Sequence, residues 1–132
     1  MKKAFLGAAL AFFLCGCTTS AIKVSAPLPD QMSSAGHPVA ANVQGVINGA
    51  YLFYFIPLWS GFPWAPNERD YETFKNFVTP QYMIRMMEHY RDRHKYRAVE
   101  DLEIRESATG AWGLWIVWRR SVTGRAVMVG KK

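Results

Sequence analysis

Thr79-Pro80-Gln81-Tyr82-Met83-Ile84-Arg85-Met86-Met87-Glu88-His89-Tyr90 carries the pattern on which the fold turns. Thr79 supplies an N-cap oxygen, and Pro80 suits the first helical position, where a missing N–H leaves no bond unmade. Met83, Met86, Met87 and Tyr90 recur at three- and four-residue steps, while Arg85, Glu88, His89, Asp92 and Arg93 fall on the opposite face. The spacing predicts an amphipathic helix from Thr79 to His94, laid on a sheet with its methionines in the core. A methionine stripe also suits adaptable binding, which is the functional alternative. Arg85 and Glu88 are expected to pair weakly.

Apolar segments flank this helix on both sides. Tyr51-Leu52-Phe53-Tyr54-Phe55-Ile56 is continuously apolar and stopped by Pro57, which reads as a central strand buried on both faces, with a buried helix as the competing assignment. If exposed, the same window is a partner surface or an aggregation hazard. Asp70 is expected to cap a short turn through Phe74 and Phe77. Val99 to Arg105 alternates charged and apolar residues, a half-exposed strand with Leu102 and Ile104 inward, followed by a turn at Ala108-Thr109-Gly110. Trp112 to Trp118 reads as a second apolar strand, Arg119-Arg120-Ser121 as a polar break, and Val122 to Val129 as the last strand. Gly124 is expected to mark a bulge or a close approach. The expectation is therefore a two-layer α+β domain, with about four mainly antiparallel strands and one amphipathic helix packed on them.

Candidate contact residues come from two places. Gly61-Phe62-Pro63-Trp64-Ala65-Pro66-Asn67 reads as a loop, because its prolines remove ladder donors. Trp59, Phe62 and Trp64 then form an aromatic lip for a ligand or partner, or fold back over the core. Arg91, Arg93, Lys95 and Arg97 gather at the helix C-terminus, where the dipole favours cations. Arg93, Lys95 and Arg97 are the candidate anionic docking patch. Trp112, Trp115 and Trp118 are divided between two strand faces by their spacing, so they make no single stacking platform.

The amino-terminal end says where the chain goes. Lys2 and Lys3 precede an uncharged stretch, Ala4 to Leu14, and small residues follow, the layout of a secretory signal. The apolar run is too short to span a bilayer, which needs ~20 residues. Leu14-Cys15-Gly16-Cys17 resembles the lipobox of bacterial lipoproteins. That resemblance implies cleavage before Cys17 and a diacylglyceryl group on its thiol. Cys15 is the other candidate acceptor, although Phe12-Phe13-Leu14 puts bulk where a small residue is wanted. Ordinary signal cleavage remains the alternative. Thr18, rather than aspartate, follows Cys17, which in that class implies the outer membrane, facing the periplasm. Several acyl chains on one residue would hold the protein firmly, since each buried methylene contributes ~0.8 kcal/mol.

Removing residues 1–16 takes away two of the charges that make the net charge +6, leaving a mildly basic chain suited to anionic surfaces. Neither cysteine remains for a disulfide. Residues 17–38, with Pro27, Pro29, Pro38 and four serines, read as the acylated cysteine and a flexible linker. Residues 39–132 read as the domain. The run from Phe55 to Gly61, the helix and Ser121 to Val127 also look like small bacterial lipoproteins of unknown function, with a short α+β domain behind the anchor.

No reactive constellation stands out. His37, His89 and His94 lack metal-ligand spacing. Ser60-Gly61 lacks the flanks of a nucleophile elbow, and no glycine-rich loop opens a helix. Glu100, Asp101, Glu103 and Glu106 have the period of a solvated strand face. The leading expectation is a non-enzymatic accessory or interaction lipoprotein with an envelope protein partner, with no cofactor and no nucleic acid. Its alternative is a binder of lipid or cell-wall fragments through the aromatic loop and the basic helix end.

Overall fold

A computed structural model describes residues 20–67, 71–110 and 116–131. Among these residues lie one helix and six strands: β1 Ser20–Ser25, β2 Val39–Leu52, β3 Ile56–Gly61, β4 Tyr71–Thr73, α1 Pro80–Arg93, β5 Tyr96–Gly110 and β6 Val117–Lys131. The strands form one antiparallel sheet in the order β4-β3-β2-β6-β5, with β1 also paired to β2. The α+β architecture with a mainly antiparallel sheet is as expected; the strand number is six rather than about four.

Three long strands, β2, β6 and β5, make the body. β2 is bonded to β6 along its whole length, from Val39↔Val129 to Leu52↔Val117. Its other edge is shared: β1 covers the first part, Ser25↔Asn42 to Ser20↔Ile47, and β3 covers the last, Gly49↔Ser60 to Leu52↔Ile56. Alternation sets the two faces. Ala41, Val43, Ile47 and Tyr51 of β2 and Val122 and Met128 of β6 form one buried cluster with the methionines of α1, and Val39 and Ala126 are buried as well. Asn42, Gln44, Thr123 and Arg125 take the other face.

The helix sits where the sheet lacks side chains. Gly45 and Gly124 are cross-strand partners, and a Cβ built on either would lie 2.7 Å from a methionine atom. That gap admits Met83, Met86 and Met87, all buried. Thr79 caps the helix, its hydroxyl accepting from the Tyr82 N–H at 3.3 Å, with Pro80 at the start. We expect Thr79→Ala to destabilise the domain by about 1 kcal/mol, measurable by urea denaturation, with Thr79→Ser close to wild type. Arg85 lies over the Tyr82 ring at 5.5 Å, and no ion pair joins it to Glu88 among the described residues.

Several expectations need correction. Tyr51 to Ile56 is not the central strand: β2 ends at Leu52, and Phe53, Tyr54 and Phe55 form an exposed turn before β3. The central strand is β2 itself, whose buried positions are partly alanine and glycine because methionines fill the space above them. Tyr71–Thr73 is a strand and Phe74 is exposed, while Asp70, the expected cap, lies outside the described residues. Leu102 lies at a register shift between Glu100 and Glu103 and is exposed rather than inward. Ala108-Thr109-Gly110 continues β5, and Arg119-Arg120-Ser121 continues β6, because the ladder between those strands carries through both. Residues 111–115, with Trp112 and Trp115, lie outside the described residues, as does the whole signal with Cys17.

The stretch read as linker contributes a strand. Ser20–Ser25 pairs along β2, with Ser20 and Ile22 buried and Lys23 exposed. Residues 26–38 are fastened too. Gln31 and Asn42 exchange two amide hydrogen bonds at 2.9 and 3.0 Å, and Ser34 and His37 reach β5 through Asp101 and Glu100. The described domain therefore reaches back to Ser20, and residues 20–38 are part of it rather than a flexible linker.

Candidate functional site

The residues singled out from sequence do not converge. Trp59 pairs with Ala50 on the sheet face away from α1, and its indole N–H is buried with no partner among the described residues. Phe62 lies on the helix side, edge-on to Phe77 at 6.0 Å and packed against the core. Trp64 meets the His89 ring at 5.7 Å. Their loop is pinned to β1: Ser20 donates its hydroxyl to the Phe62 carbonyl, and the Ile22 N–H donates to the Asn67 side-chain oxygen at 3.0 Å. The rings therefore cover structure rather than frame an opening.

The basic helix end is a separate feature. Arg93, Lys95 and Arg97 are exposed, and none has an acidic partner among the described residues. The rings of Tyr90, His94 and Tyr96 lie beside them, 4.2 to 6.4 Å apart. Burial, and then the neighbouring Tyr96, raise the Tyr90 hydroxyl above its ordinary pKa. That phenol stays neutral at physiological pH and adds no charge to the patch.

Two other surfaces are open, and the sequence marked only the second, within Tyr51 to Ile56, as a partner surface if exposed. The first is a groove of about 640 Å3 on the face away from α1, lined by Lys23, Gln31, Gln44, Asp101, Glu103 and Arg125 among others. Gln31 of the segment joining β1 to β2 lines it, and that segment is held to β5 by His37 Nδ1 to Glu100 at 2.8 Å and by Ser34 to Asp101. Lys23, Arg125, Asp101 and Glu103 put charges of both signs on its walls, beside Val24, Ala126 and Val127. The Ser34 hydroxyl, and then its backbone N–H, hold Asp101 below its ordinary pKa of 3.8. A depressed carboxylate stabilises the fold above the unfolded pKa, and the contribution is lost as pH falls through the folded value. The Ser34 amide resonance should accordingly titrate with a midpoint below 3.8, and Asp101→Asn should abolish that titration in an NMR pH series.

The second surface is the tip of the β2–β3 hairpin. Phe53 is 52 % exposed and Phe55 69 %, with Tyr54, Ile56 and Ile116 also open. The turn is braced from behind. The Arg120 guanidinium lies 4.6 Å from the Tyr51 ring centre and 4.9 Å from that of Tyr54. Trp118 meets Tyr54 edge-on at 5.4 Å, and the Phe53 N–H donates to the Ile116 carbonyl at 2.6 Å. Phe53 and Tyr54 both take left-handed backbone, φ 51° and 77°. Asparagine and glycine adopt that conformation at little cost, whereas aromatic residues there carry roughly 1–2 kcal/mol each. Their sequence gives no turn signal, which is why the tip reads as strand.

Among the described residues no three His, Cys, Asp or Glu side chains gather as a metal site, and no helix is long and apolar enough to cross a membrane. No protein-family model matches the chain, and neither a curated protein nor a solved structure is detectably similar to it.

Proposed function

We propose that the chain is a lipid-anchored envelope protein, acylated at Cys17 and held at the outer membrane on the periplasmic side. Its domain is a non-enzymatic accessory or interaction module. The anchor rests on the charged start, apolar run and Leu14-Cys15-Gly16-Cys17 of the sequence. The interaction role rests on one structural observation: among the described residues α1 covers one face of the sheet, and the other carries a groove of about 640 Å3 with Lys23, Arg125, Asp101 and Glu103 on its walls. An antiparallel sheet of this kind keeps a wide surface in solvent, with charges of both signs that favour a polypeptide partner of matching pattern. Binding of lipid or cell-wall fragments at Trp59, Phe62 and Trp64 has less support, because those rings are divided between the two faces.

Two measurements test the reading. Cys17→Ala is expected to accumulate as the full-length precursor, while the native protein loses residues 1–16 and carries lipid on Cys17, both read by mass spectrometry. An unmodified Cys17 in the mature native protein removes the anchor. A photo-crosslinking residue at Gln44, in the groove, should trap a defined partner in intact membranes, and one at Gln81, on the exposed side of α1, should not. Equal or absent crosslinking at both positions removes the interaction role.

A further inference from the structure

We infer that the aromatic hairpin tip and the adjoining β3–β4 flank rest on the surface of an anionic phospholipid bilayer, giving the domain a second membrane contact and a fixed orientation. This rests on the lipid anchor at Cys17 proposed above.

Three peptide steps separate Cys17 from Ser20, and three residues span at most ~10 Å. Ser20 is level with Ile47 on β2. From there to Leu52 the strand runs five residues further, ~17 Å at ~3.4 Å each, and the turn extends a little beyond. β1 runs away from the tip, so the chain enters the sheet from the tip's side. β1 and β3 also share one edge of β2. Anchor and tip therefore belong to the same edge, and a Cys17 seated in the bilayer holds that edge against it. With ~10 Å of tether against ~20 Å of strand, both reach one plane when the strands lean roughly 60° from the bilayer normal.

Leaning toward that edge lowers what is most exposed there. Phe74, 76 % exposed, follows β4, and its N–H donates to the Leu58 carbonyl on β3 at 3.1 Å. Phe53, Phe55 and Ile56 come down beside it, while Tyr54, Trp118 and Arg120 stand immediately behind them. Aromatic rings backed by arginine suit the zone between headgroups and acyl chains, where an apolar body and a polar tip are both satisfied. Arg119, exposed on β6 and paired in register with Ala50, adds a positive charge near the tip. The strained turn points the same way: it holds large apolar side chains outward where a cheaper sequence would close the hairpin equally well.

The test uses the mature lipidated protein in vesicles of phosphatidylethanolamine and phosphatidylglycerol with brominated acyl chains. Phe55→Cys and Leu28→Cys each carry an environment-sensitive fluorophore. Leu28 is 72 % exposed at the opposite end, in the segment joining β1 to the start of β2. The tip probe should lose most of its emission to the bromines, the Leu28 probe should lose almost none, and adding Phe53→Asn should weaken the quenching at Phe55→Cys without lowering the unfolding midpoint. If neither probe is quenched while the protein stays with the vesicles and Cys17 carries lipid, the bilayer seat is wrong and the anchor stands. Equal quenching of both probes removes the orientation. A blue-shifted, unquenched tip probe means that a protein covers the tip, and overturns the proposal. If the mature protein purified from membranes carries no lipid on Cys17, so that no lipidated form exists to load, the anchor and the seat fall together.

Discussion

Gly124→Val is expected to lower the unfolding free energy by about 3 kcal/mol, near the upper end of overpacking penalties, or to prevent folding altogether. Strand propensity alone argues the opposite, because valine is favoured and glycine disfavoured in strands, by up to ~1 kcal/mol. Packing decides. A Cβ at Gly124 would lie 2.7 Å from Met83 Cγ and 2.8 Å from its sulfur. Met83 Cγ is near the root of a fully buried side chain and has nowhere to go. The sheet would have to push α1 outward, exposing Met86 and Met87. Gly45 makes the informative comparison. Its virtual Cβ meets the terminal methyls of Met86 and Met87 at 2.7 and 2.9 Å, and the ends of flexible side chains can swing aside. Gly45→Ala should therefore cost distinctly less than Gly124→Ala. Met83→Ala alone should cost roughly 2–5 kcal/mol through its cavity. Combined with Gly124→Ala it should cost less than the sum, since each change relieves the other. Urea denaturation of the five variants decides the matter; additive losses in the double variant would mean that Gly124 does not act through Met83.

That close approach was legible in outline, and its partner was not. Gly124 interrupts an otherwise apolar strand, so some contact was expected there. Gly45 sits in Val39-Ala40-Ala41-Asn42-Val43-Gln44-Gly45-Val46-Ile47, where every second residue faces the helix. Two of those buried positions are alanine and glycine, and they contribute little to an apolar count. The central strand therefore hid behind the aromatic run that follows it. The helix was legible because Thr79-Pro80 marks its start and four side chains mark its face, signals that lie close in sequence. β1 was not, because six residues with two serines bury only Ser20 and Ile22, whose partners Ile47 and Gly45 lie more than twenty residues away. The Phe53–Phe55 turn escaped for a related reason. Left-handed backbone is advertised by glycine or asparagine, and here aromatic residues carry it. Among the candidate contacts, the exposure of Arg93, Lys95 and Arg97 followed from the helix end, whereas the division of Trp59 from Phe62 and Trp64 depended on a register that only the sheet supplies.

Ser60→Ala is expected to cost roughly 2–3 kcal/mol, far more than the loss of one small hydroxyl suggests. Ser60 is fully buried on β3, on the helix side of the sheet. Its hydroxyl donates to the Lys75 carbonyl at 2.7 Å and accepts from the Phe77 N–H at 3.2 Å. One oxygen thus satisfies two backbone groups in the segment between β4 and α1, where no ladder can serve them. Alanine leaves both unpaired, and the Phe77 N–H is enclosed by a residue only 6 % exposed. The consequence travels forward along the chain. The Thr79 N–H donates to the Phe77 carbonyl at 2.9 Å, and Thr79 caps the helix that covers the core. Loosening Phe77 should therefore fray the first turn of α1 before the sheet melts. Hydrogen exchange should show Phe77 and Met83 amides losing protection first, with the β2–β6 ladder unchanged until global unfolding. Ser60→Cys keeps a weak donor and acceptor and should recover part of the loss. Uniform deprotection of sheet and helix, or a Ser60→Cys no better than Ser60→Ala, would show that the hydroxyl bridge does not anchor the helix entry.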